Sequence, residues 1–239
     1  MRIYQNCMEA IREIERDLYE MGIEVRPESM QDIRTNGDED YITKELQGYC
    51  YTILEDQDRN QMLEYMKLPL DYAIQEHQDR MYAAGPVLNP GNSYLLRKET
   101  WEKFLHDGKF SYTYNERFRH CDQLHKVVNQ LYHNPNTRQA VVSIYQPEDV
   151  EKLGGKERVP CSLMYQFMIR NGQLDLYYFQ RSGDFLTHLP YDIWLALRMK
   201  EAVTRELNEV GKFIRNGHLT HFVTSLHAYR KDLKARGIF

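Results

Sequence analysis

The stretch CSLMYQFMIR (161–170), the dipeptide Asn171-Gly172 and the stretch QLDLYYFQR (173–181) decide the fold of this chain. Two apolar runs flank a dipeptide whose residues tolerate left-handed backbone angles. The pattern therefore predicts a β-hairpin in which a tight turn joins two strands. Because a hairpin returns the chain to its start, we expect the end of the second run to lie beside the beginning of the first.

Further strands and helices are predicted on both sides of the hairpin. Residues 140–145 (AVVSIY) and 219–226 are strand-like, and Pro190 is expected to open a helix that reaches about Leu207. Helical spacing of four apolar residues predicts a first helix that ends at Gly22: Met8, Ile11, Ile14 and Leu18. More helices are predicted at 41–53, at 58–82 with a break at Pro69, at 100–106 and at 117–132.

The length and the order of these elements predict the fold class. The chain has 239 residues, of which 42% are hydrophobic, so it can bury a substantial core. No internal repeat, linker or low-complexity segment interrupts it. We therefore expect one α+β domain over residues 1–239 with a mainly antiparallel sheet.

Composition and charge exclude several classes of protein. The net charge of −4 offers no basic field that would recruit a nucleic acid polymer. The N-terminus is a charged amphipathic stretch rather than a signal peptide, and no apolar run approaches membrane length. The four cysteines show no CxxC spacing, so neither zinc nor a disulfide framework is expected: Cys7, Cys50, Cys121 and Cys161. We expect a soluble, cytoplasmic protein with no metal and no membrane partner.

The predicted hairpin would bring a thiol beside a guanidinium. Cys161 follows Pro160 at the start of the hairpin, and Arg181 ends its second strand. A neighbouring cation lowers the pKa of a thiol and makes it a nucleophile. The alternative is that Cys161 is a buried small apolar residue, which is the usual fate of a free cysteine.

Other polar residues would suit a phosphorylated ligand. Arg181, and Arg138 in NPNTRQA, each offer a guanidinium that can bind a phosphate through two hydrogen bonds, and Ser182 offers a hydroxyl donor. The alternative is that the arginines form surface ion pairs and that the serine belongs to a turn. His227 and Tyr229 would reach a sugar hydroxyl from the end of a strand. Glu45 falls on the helix predicted at 41–53, where it would either shuttle protons in a cleft or lie on a solvated face.

Taken together, these pieces resemble the thymidylate synthase family. The resemblance rests on four motifs: Pro160-Cys161, Gln180-Arg181-Ser182-x-Asp184, Pro190-Tyr191-Asp192 and His227-x-Tyr229. NPNTRQAVVSIYQP also looks like the Asn-Pro-x-Ser-Arg-Arg segment that opens a strand in the family. The resemblance extends from about Leu131 to Tyr229; before that, only KELQGY (44–49) and Tyr114 in YTYNERF are matched.

The resemblance implies a fold, a reaction and a set of ligands. The fold would be a mixed, mainly antiparallel sheet flanked by helices, with one sheet face packed in a homodimer. The ligands would be a pyrimidine nucleoside monophosphate and 5,10-methylenetetrahydrofolate. Cys161 would attack C6 of the base, and C5 would then attack the methylene carbon of the folate.

Roles for the other residues follow from the matched positions. Arg181 and Ser182 would hold the 5′-phosphate, joined by Arg138 from the partner protomer, while Gln139 replaces the second arginine of the family. The remaining matched residues would hold the sugar (His227, Tyr229), line the pocket (Gln180, Tyr114), lie near the folate (Asp184) or handle protons and water (Glu45).

Asp192 stands where the uracil-specific synthases of the family have asparagine. A carboxylate accepts from the N4 amino group of cytosine and stabilises a protonated N3, whereas against uracil O4 it sets acceptor against acceptor. Such a mismatch costs on the order of 1–3 kcal/mol when buried. Asp192 therefore indicates a cytidylate, and within the family the chain most resembles the deoxycytidylate (dCMP) 5-hydroxymethylases of phages that modify their DNA cytosines. A phage enzyme would act in the cytoplasm of its bacterial host.

Two departures from the synthases favour water as the final nucleophile. His188 replaces a glycine of the family in the loop before Pro190, and only ten residues follow Tyr229, where the synthases carry a longer segment that closes over the folate. We expect a more open site to admit water, giving a hydroxymethyl product and unoxidised tetrahydrofolate. His188 would orient that water or simply pack at the surface.

Alternatives of three kinds stay open from the sequence: a related enzyme, a non-catalytic relative and an unrelated domain. A related enzyme of an antibiotic or antimetabolite pathway would hydroxymethylate CMP, and another would methylate dCMP or dUMP. A non-catalytic relative would bind a nucleotide or its own messenger and act as a regulator, although Cys161, Arg181 and Ser182 are all present. An unrelated α+β domain would have to match all of these motifs by chance.

Overall fold

The computed structural model describes residues 1–30, 33–34, 38–82, 85–154 and 157–237. Within these ranges the strands are β1 (Arg2–Tyr4), β2 (Ile23–Val25), β3 (Ser29–Met30), β4 (Ile33–Arg34), β5 (Thr43–Ile53), β6 (Val141–Ser143), β7 (Ser162–Arg170), β8 (Gln173–Asp184) and β9 (Arg215–Tyr229). The helices are α1 (Cys7–Met21), α2 (Arg59–Tyr65), α3 (Leu70–Met81), α4 (Lys98–Trp101), α5 (Tyr114–Arg119), α6 (Gln123–His133), α7 (Leu189–Glu209) and α8 (Arg230–Ala235).

A mixed sheet forms the centre of the molecule. Its strands run in the order β1-β5-β9-β8-β7-β6, with β2 also paired to β5, and β3 and β4 form a separate two-stranded sheet. Four of the six pairings in the large sheet are antiparallel, and β1–β5 and β8–β9 are parallel. The predicted fold class, a mixed and mainly antiparallel sheet flanked by helices, is confirmed.

The hairpin predicted from the Asn171-Gly172 dipeptide is confirmed as β7 and β8. Both turn residues have left-handed backbone angles, with φ values of 51° and 71°. Such angles match the twist of the flanking strands, which is why this dipeptide joins them so tightly. Arg170 pairs with Gln173 next to the turn, and Ser162 pairs with Gln180 at the far end.

Most of the predicted helices and strands are found. The first helix is α1, capped by Gly22; the helical segment 58–82 is α2 and α3 with the break at Pro69; the Pro190 helix is α7. The helix predicted at 117–132 is present as α5 and α6, which are separated by left-handed angles at Cys121 and Asp122. The strand predicted at 219–226 is the centre of a longer strand, β9.

The helix predicted at 41–53 is wrong, because most of this segment is the strand β5, which is paired on both edges. It pairs with β9 along its whole length, from Thr43 opposite Tyr229 to Ile53 opposite Leu219. Its aromatic and β-branched half, YCYTI, packs into the core, with Tyr49, Tyr51 and Ile53 at most 4% exposed. Tertiary pairing on both edges outweighs the local helical preference of the Lys-Glu-Leu-Gln segment.

The helices cover one face of the large sheet and leave part of the other face open. Along β8, Leu174, Leu176 and Tyr178 are fully buried, whereas the alternating residues Tyr177 and Phe179 are partly exposed. Since side chains alternate across a strand, the partly exposed residues share one face.

Candidate active site

A cavity of about 540 Å³ opens where the end of β8 meets α3, α7 and the end of β9. Eleven of the twelve residues that the sequence singled out line it: Glu45, Tyr114, Cys161, Gln180, Arg181, Ser182, Asp184, His188, Asp192, His227 and Tyr229. They come from positions far apart in the chain, so the fold has to assemble them.

Strand register explains how these residues meet. The hairpin closes with a bond of 2.8 Å from the Arg181 main-chain nitrogen to the Cys161 oxygen. The parallel pairing of β8 and β9 sets Asp184 opposite His227, and the antiparallel pairing of β5 and β9 sets Glu45 opposite the same histidine. Three strands therefore contribute side chains to one end of the sheet.

Arg181 lies beside the Cys161 thiol, as the hairpin predicted. Its Nη2 atom is 3.9 Å from Sγ, and its Nε and Nη2 atoms donate to the Pro160 and Val159 oxygens, each at 2.9 Å. The expected net fall in thiol pKa does not occur. Burial raises the pKa of Cys161, and the opposing effect of Arg181 and Arg158 is smaller.

Asp192 lies in the first turn of α7, where its charge suits the helix N-terminus. Its Oδ2 atom accepts a hydrogen bond of 2.8 Å from Gln180 Nε2. Burial raises the pKa of Asp192, while Gln180, Arg80 and His188 oppose that rise. Asp192 is half-buried and lines the cavity, so a ligand in the cavity would lie next to it.

Asp184 and His188 form a second polar cluster beside the cavity. Thr187 Oγ1 contacts both Asp184 Oδ2 and His188 Nδ1, and the ring of His188 meets the Trp101 ring edge-on at 5.3 Å. Burial alone would raise the pKa of Asp184, but contacts with His188, His227 and Thr187 hold it below its usual value. In the part of the chain that the structure describes, His188 Nε2 has no hydrogen-bond partner.

His227 and Glu45 face each other across the β5–β9 pairing. Ser225 Oγ donates to Glu45 Oε2 at 2.6 Å and lies 3.4 Å from His227 Nδ1. The Tyr229 ring packs edge-on against the His227 ring at 5.4 Å. His227 and Tyr229 thus share one wall of the cavity, as their two-residue spacing predicted.

Tyr114 opens α5 and reaches the base of the hairpin. Its hydroxyl is 2.7 Å from Ser162 Oγ, and the guanidinium of Arg80 lies over its ring at 3.6 Å. Burial raises the pKa of Tyr114 well above its usual value, so the hydroxyl stays protonated. It can therefore donate a hydrogen bond within the cavity.

The sequence reasoning missed two cavity residues on α3, Glu76 and Arg80. They are four residues apart on one helix face, form an ion pair of 2.7 Å and are only 16% and 10% exposed. Ser93 Oγ also donates to Glu76, at 2.7 Å. Burial alone would raise the pKa of Glu76, but Arg80 and Ser93 outweigh it and lower it. The sequence signal that could have found Glu76 and Arg80 is their i,i+4 spacing within the predicted helix 58–82.

Arg138 is the one predicted residue outside the cavity. It is exposed in the loop before β6, and its main-chain oxygen accepts from Gln166 Nε2 at 2.9 Å. It therefore does not line the cavity.

Aromatic and cationic residues form the outer wall of the cavity. The Arg158 guanidinium lies over the Trp101 ring at 4.3 Å and the Phe104 ring at 5.1 Å, and Tyr112 and Lys103 lie beside them. A wall of this kind is suited to pack against a flat ring and to attract an anionic group. The described residues contain no cluster of histidine, cysteine and carboxylate groups suited to a metal ion, and no described helix is long and apolar enough to span a membrane.

Comparison with known proteins gives a consistent result. The family model of thymidylate synthase matches residues 90–236, which is more than half of the chain. The thymidylate synthase of Enterobacteria phage T4 is 32% identical over 120 residues, covering 48% of this chain and 41% of that protein. That of Mycoplasma pneumoniae is 29% identical over 148 residues, covering 58% and 49%. The chain spans half or less of the length of these relatives.

The fold is also similar to a solved structure. The crystal structure of thymidylate synthase from T4 phage superposes with a TM-score of 0.67 at 21% identity, covering 94% of this chain and 78% of that one. The likeness includes the N-terminal half, where sequence motifs were few.

Proposed function

Because the chain belongs to the thymidylate synthase family, we propose that it transfers a one-carbon unit from 5,10-methylenetetrahydrofolate to C5 of a pyrimidine nucleoside monophosphate. We further propose that the nucleotide is dCMP and the product 5-hydroxymethyl-dCMP. The observation that carries the choice of base is the position of Asp192 in the wall of the cavity, where its carboxylate accepts a hydrogen bond from Gln180.

The hydrogen-bonding capacity of Asp192 supports cytosine. An ionised carboxylate only accepts, so it can face the N4 amino group and a protonated N3. Facing uracil, it would meet the O4 acceptor and lose on the order of 1–3 kcal/mol. Gln180 donates to one carboxylate oxygen and thereby favours the ionised form.

The Cys161 thiol supports nucleophilic attack on C6. Burial raises the pKa of this thiol, and Arg181, whose Nη2 atom is 3.9 Å from Sγ, opposes that rise and so favours the attacking thiolate. The Nε and Nη2 atoms of Arg181 are used by main-chain oxygens, and the guanidinium still lines the cavity beside Ser182. These two side chains are the proposed phosphate site, with His227 and Tyr229 at the sugar.

Bound methylenetetrahydrofolate would supply the carbon at the oxidation level of formaldehyde. After transfer of that carbon to C5, the side chains around it would control which nucleophile can reach it. Addition of water yields a hydroxymethyl group and leaves the folate unoxidised. His188 supports this outcome, because it lines the cavity and its buried Nε2 atom has no hydrogen-bond partner among the described residues, so a water molecule would supply the partner that it lacks.

Two carboxylates are candidates for the proton chemistry. Glu45 was proposed from the sequence and lies on the sugar side, hydrogen-bonded to Ser225. Glu76 lies on α3, and its charge opposes the ionisation of Asp192, so it is electrostatically coupled to the base reader. The coupling to Asp192 favours Glu76 for protons at the base and leaves Glu45 for protons and water near the sugar.

We also propose a homodimer formed by the open face of the sheet. Tyr177, Phe179 and Phe222 lie on that face, and the last two rings contact each other at 6.3 Å. Arg138 is exposed and outside the cavity of its own protomer, which is consistent with a role in the partner's phosphate site.

Release of tritium from C5 of labelled nucleotides tests the proposal. Purified protein is given methylenetetrahydrofolate with dCMP, CMP or dUMP, and the product mass and folate oxidation state are then measured. We expect release from dCMP, a hydroxymethyl product and tetrahydrofolate. Release from dUMP alone would overturn the base assignment, and a methylated product with dihydrofolate would overturn the role of water. Cys161→Ala should abolish release; binding without release in the unaltered protein would indicate a regulator.

A further inference from the structure

A chain of hydrogen bonds runs from Asp192 into the core and ends at Tyr51. Gln180 Nε2 lies 2.8 Å from Asp192 Oδ2, and Gln180 Oε1 lies 2.9 Å from His221 Nε2. His221 Nδ1 in turn lies 2.8 Å from the Tyr51 hydroxyl. His221 and Tyr51 are fully buried, and Gln180 is 1% exposed. Neither His221 nor Tyr51 has a role in the proposed reaction.

The single proton on the imidazole gives this chain a direction. Burial lowers the pKa of His221 to about 3, so the ring is neutral and carries one N–H. An ionised Asp192 accepts a hydrogen bond from the Gln180 amide nitrogen. In this orientation of the amide, the Gln180 carbonyl oxygen faces His221. That carbonyl needs an N–H on Nε2, and Nδ1 then accepts from the Tyr51 hydroxyl.

Sheet register and ring stacking hold the imidazole in place. Tyr51, His221, Tyr178 and Tyr165 occupy one row across β5, β9, β8 and β7. The rings of His221 and Tyr178 stack at 4.2 Å and 9°, and those of Tyr178 and Tyr165 at 4.4 Å and 19°. A ring packed in this way keeps both of its nitrogen atoms aimed along the hydrogen-bond chain.

We propose that His221 is a positioning residue for base selection: it fixes the Gln180 amide so that Asp192 meets the nucleotide as an acceptor-only carboxylate. This inference rests on the proposed function, because it concerns how the proposed base reader is held. Without the Nε2–H donor, Gln180 loses the bond that distinguishes its two amide orientations. Its carbonyl can then turn towards Asp192, where it repels the carboxylate.

Matched variants at His221 test the proposal. His221→Phe keeps a flat ring in the stack but removes both nitrogen atoms, whereas His221→Gln restores an N–H donor near the Nε2 position. We expect the ratio of kcat/KM for dCMP to that for dUMP to fall about tenfold in His221→Phe, the size of one lost buried hydrogen bond. His221→Gln should recover most of the ratio. If both kcat/KM values fall in parallel and the ratio is unchanged in His221→Phe, the proposal is overturned.

The pH profile of kcat/KM gives a second readout that a purely structural residue would not move. The Gln180 hydrogen bond lowers the pKa of Asp192, so losing it should shift the acid limb of the profile to higher pH. The other titratable groups that face Asp192 are unaltered in these variants: Arg80 and Glu76 on α3, His188 before α7, Cys161 and Tyr165 at the hairpin, Tyr178, Tyr114 and Tyr51. An acid limb that stays in place would contradict the proposal.

A measurement without substrate separates this inference from the proposed function. In ¹⁵N-histidine-labelled protein, the signal that disappears in His221→Phe belongs to His221, and its ring shifts report the tautomer. We expect the Nε2–H form, and the Nδ1–H form would overturn the positioning role. If the unaltered enzyme instead prefers dUMP, the proposed function fails, while the tautomer and the shift in ratio still decide the role of His221.

Discussion

The Arg181 guanidinium lies 3.9 Å from the Cys161 sulfur and also donates to the main-chain oxygens of the two residues before that cysteine. One side chain therefore sets both the position of the thiol and the charge beside it. Burial raises the pKa of Cys161 in spite of this cation. Burial thus favours the protonated thiol, and Arg181 is the main cation that favours the thiolate.

Removing the charge of Arg181 should make Cys161 still harder to ionise. In Arg181→Gln, which keeps hydrogen-bond donors, we expect the pKa of the thiol to rise further, because the main cation that opposes the effect of burial is lost. Alkylation of Cys161 by iodoacetamide at a fixed neutral pH should then slow about tenfold, measured by peptide mass spectrometry. Cys121 is exposed and serves as the internal control, since its alkylation rate should not change. An unaltered alkylation rate at Cys161 would show that Arg181 only holds the main chain of the two residues before that cysteine.

Asp192→Asn should reverse the preference for the base. The amide presents a donor to uracil O4 and loses one acceptor for the cytosine amino group, so kcat/KM for dCMP should fall and that for dUMP should rise. Each change corresponds to roughly 1–3 kcal/mol. Because burial raises the pKa of Asp192, the ionised carboxylate costs stability at neutral pH, and the variant should melt no lower than the parent protein. Competition between the two nucleotides in one assay measures the switch; an unchanged preference would remove Asp192 as the base reader.

The hairpin could be predicted from the sequence because its signal is local. Asn171 and Gly172 have the left-handed angles that their residue types favour, and Cys161 and Arg181 follow from the return of the chain. Arg181 and Asp192 were found in the same way, from short motifs around the hairpin and the start of α7. Local chemistry is sufficient where a motif determines its own backbone.

The wrong helix at 41–53 shows where local reasoning fails. Glu45 and Leu46 favour a helix, yet pairing with β9, which lies more than 160 residues later in the chain, makes the segment a strand. The bond between His221 and Tyr51 spans the same long separation. Contacts of this kind depend on packing between distant segments, and no spacing in the sequence predicts them.

Glu76 and Glu45 can be separated by identical substitutions. In Glu76→Gln, tritium release from C5 should fall by about 100-fold or more, because a buried carboxylate coupled to Asp192 is lost from the base side. Glu45→Gln should have a smaller effect on release and a larger effect on KM, because Glu45 is held by Ser225 on the sugar side. Kinetics of both variants with dCMP, together with equilibrium binding of the nucleotide, make the comparison. A greater loss of release in Glu45→Gln would return the proton chemistry to that residue.

Arg138 should act in the site of the partner protomer. Alone, Arg138→Ala should weaken nucleotide binding and Cys161→Ala should abolish release. After the two variants are unfolded and refolded together, half of the dimers should be mixed, and each mixed dimer contains one site with both residues intact. We therefore expect roughly a quarter of the parent activity in the mixture.

Arg138→Ala mixed with the double variant Arg138→Ala/Cys161→Ala is the matched control and should regain nothing. If the first mixture also regains nothing while native mass spectrometry detects mixed dimers, Arg138 does not reach across the interface. A protein that is monomeric at assay concentration would instead contradict the dimer proposed from the open face that carries Tyr177, Phe179 and Phe222.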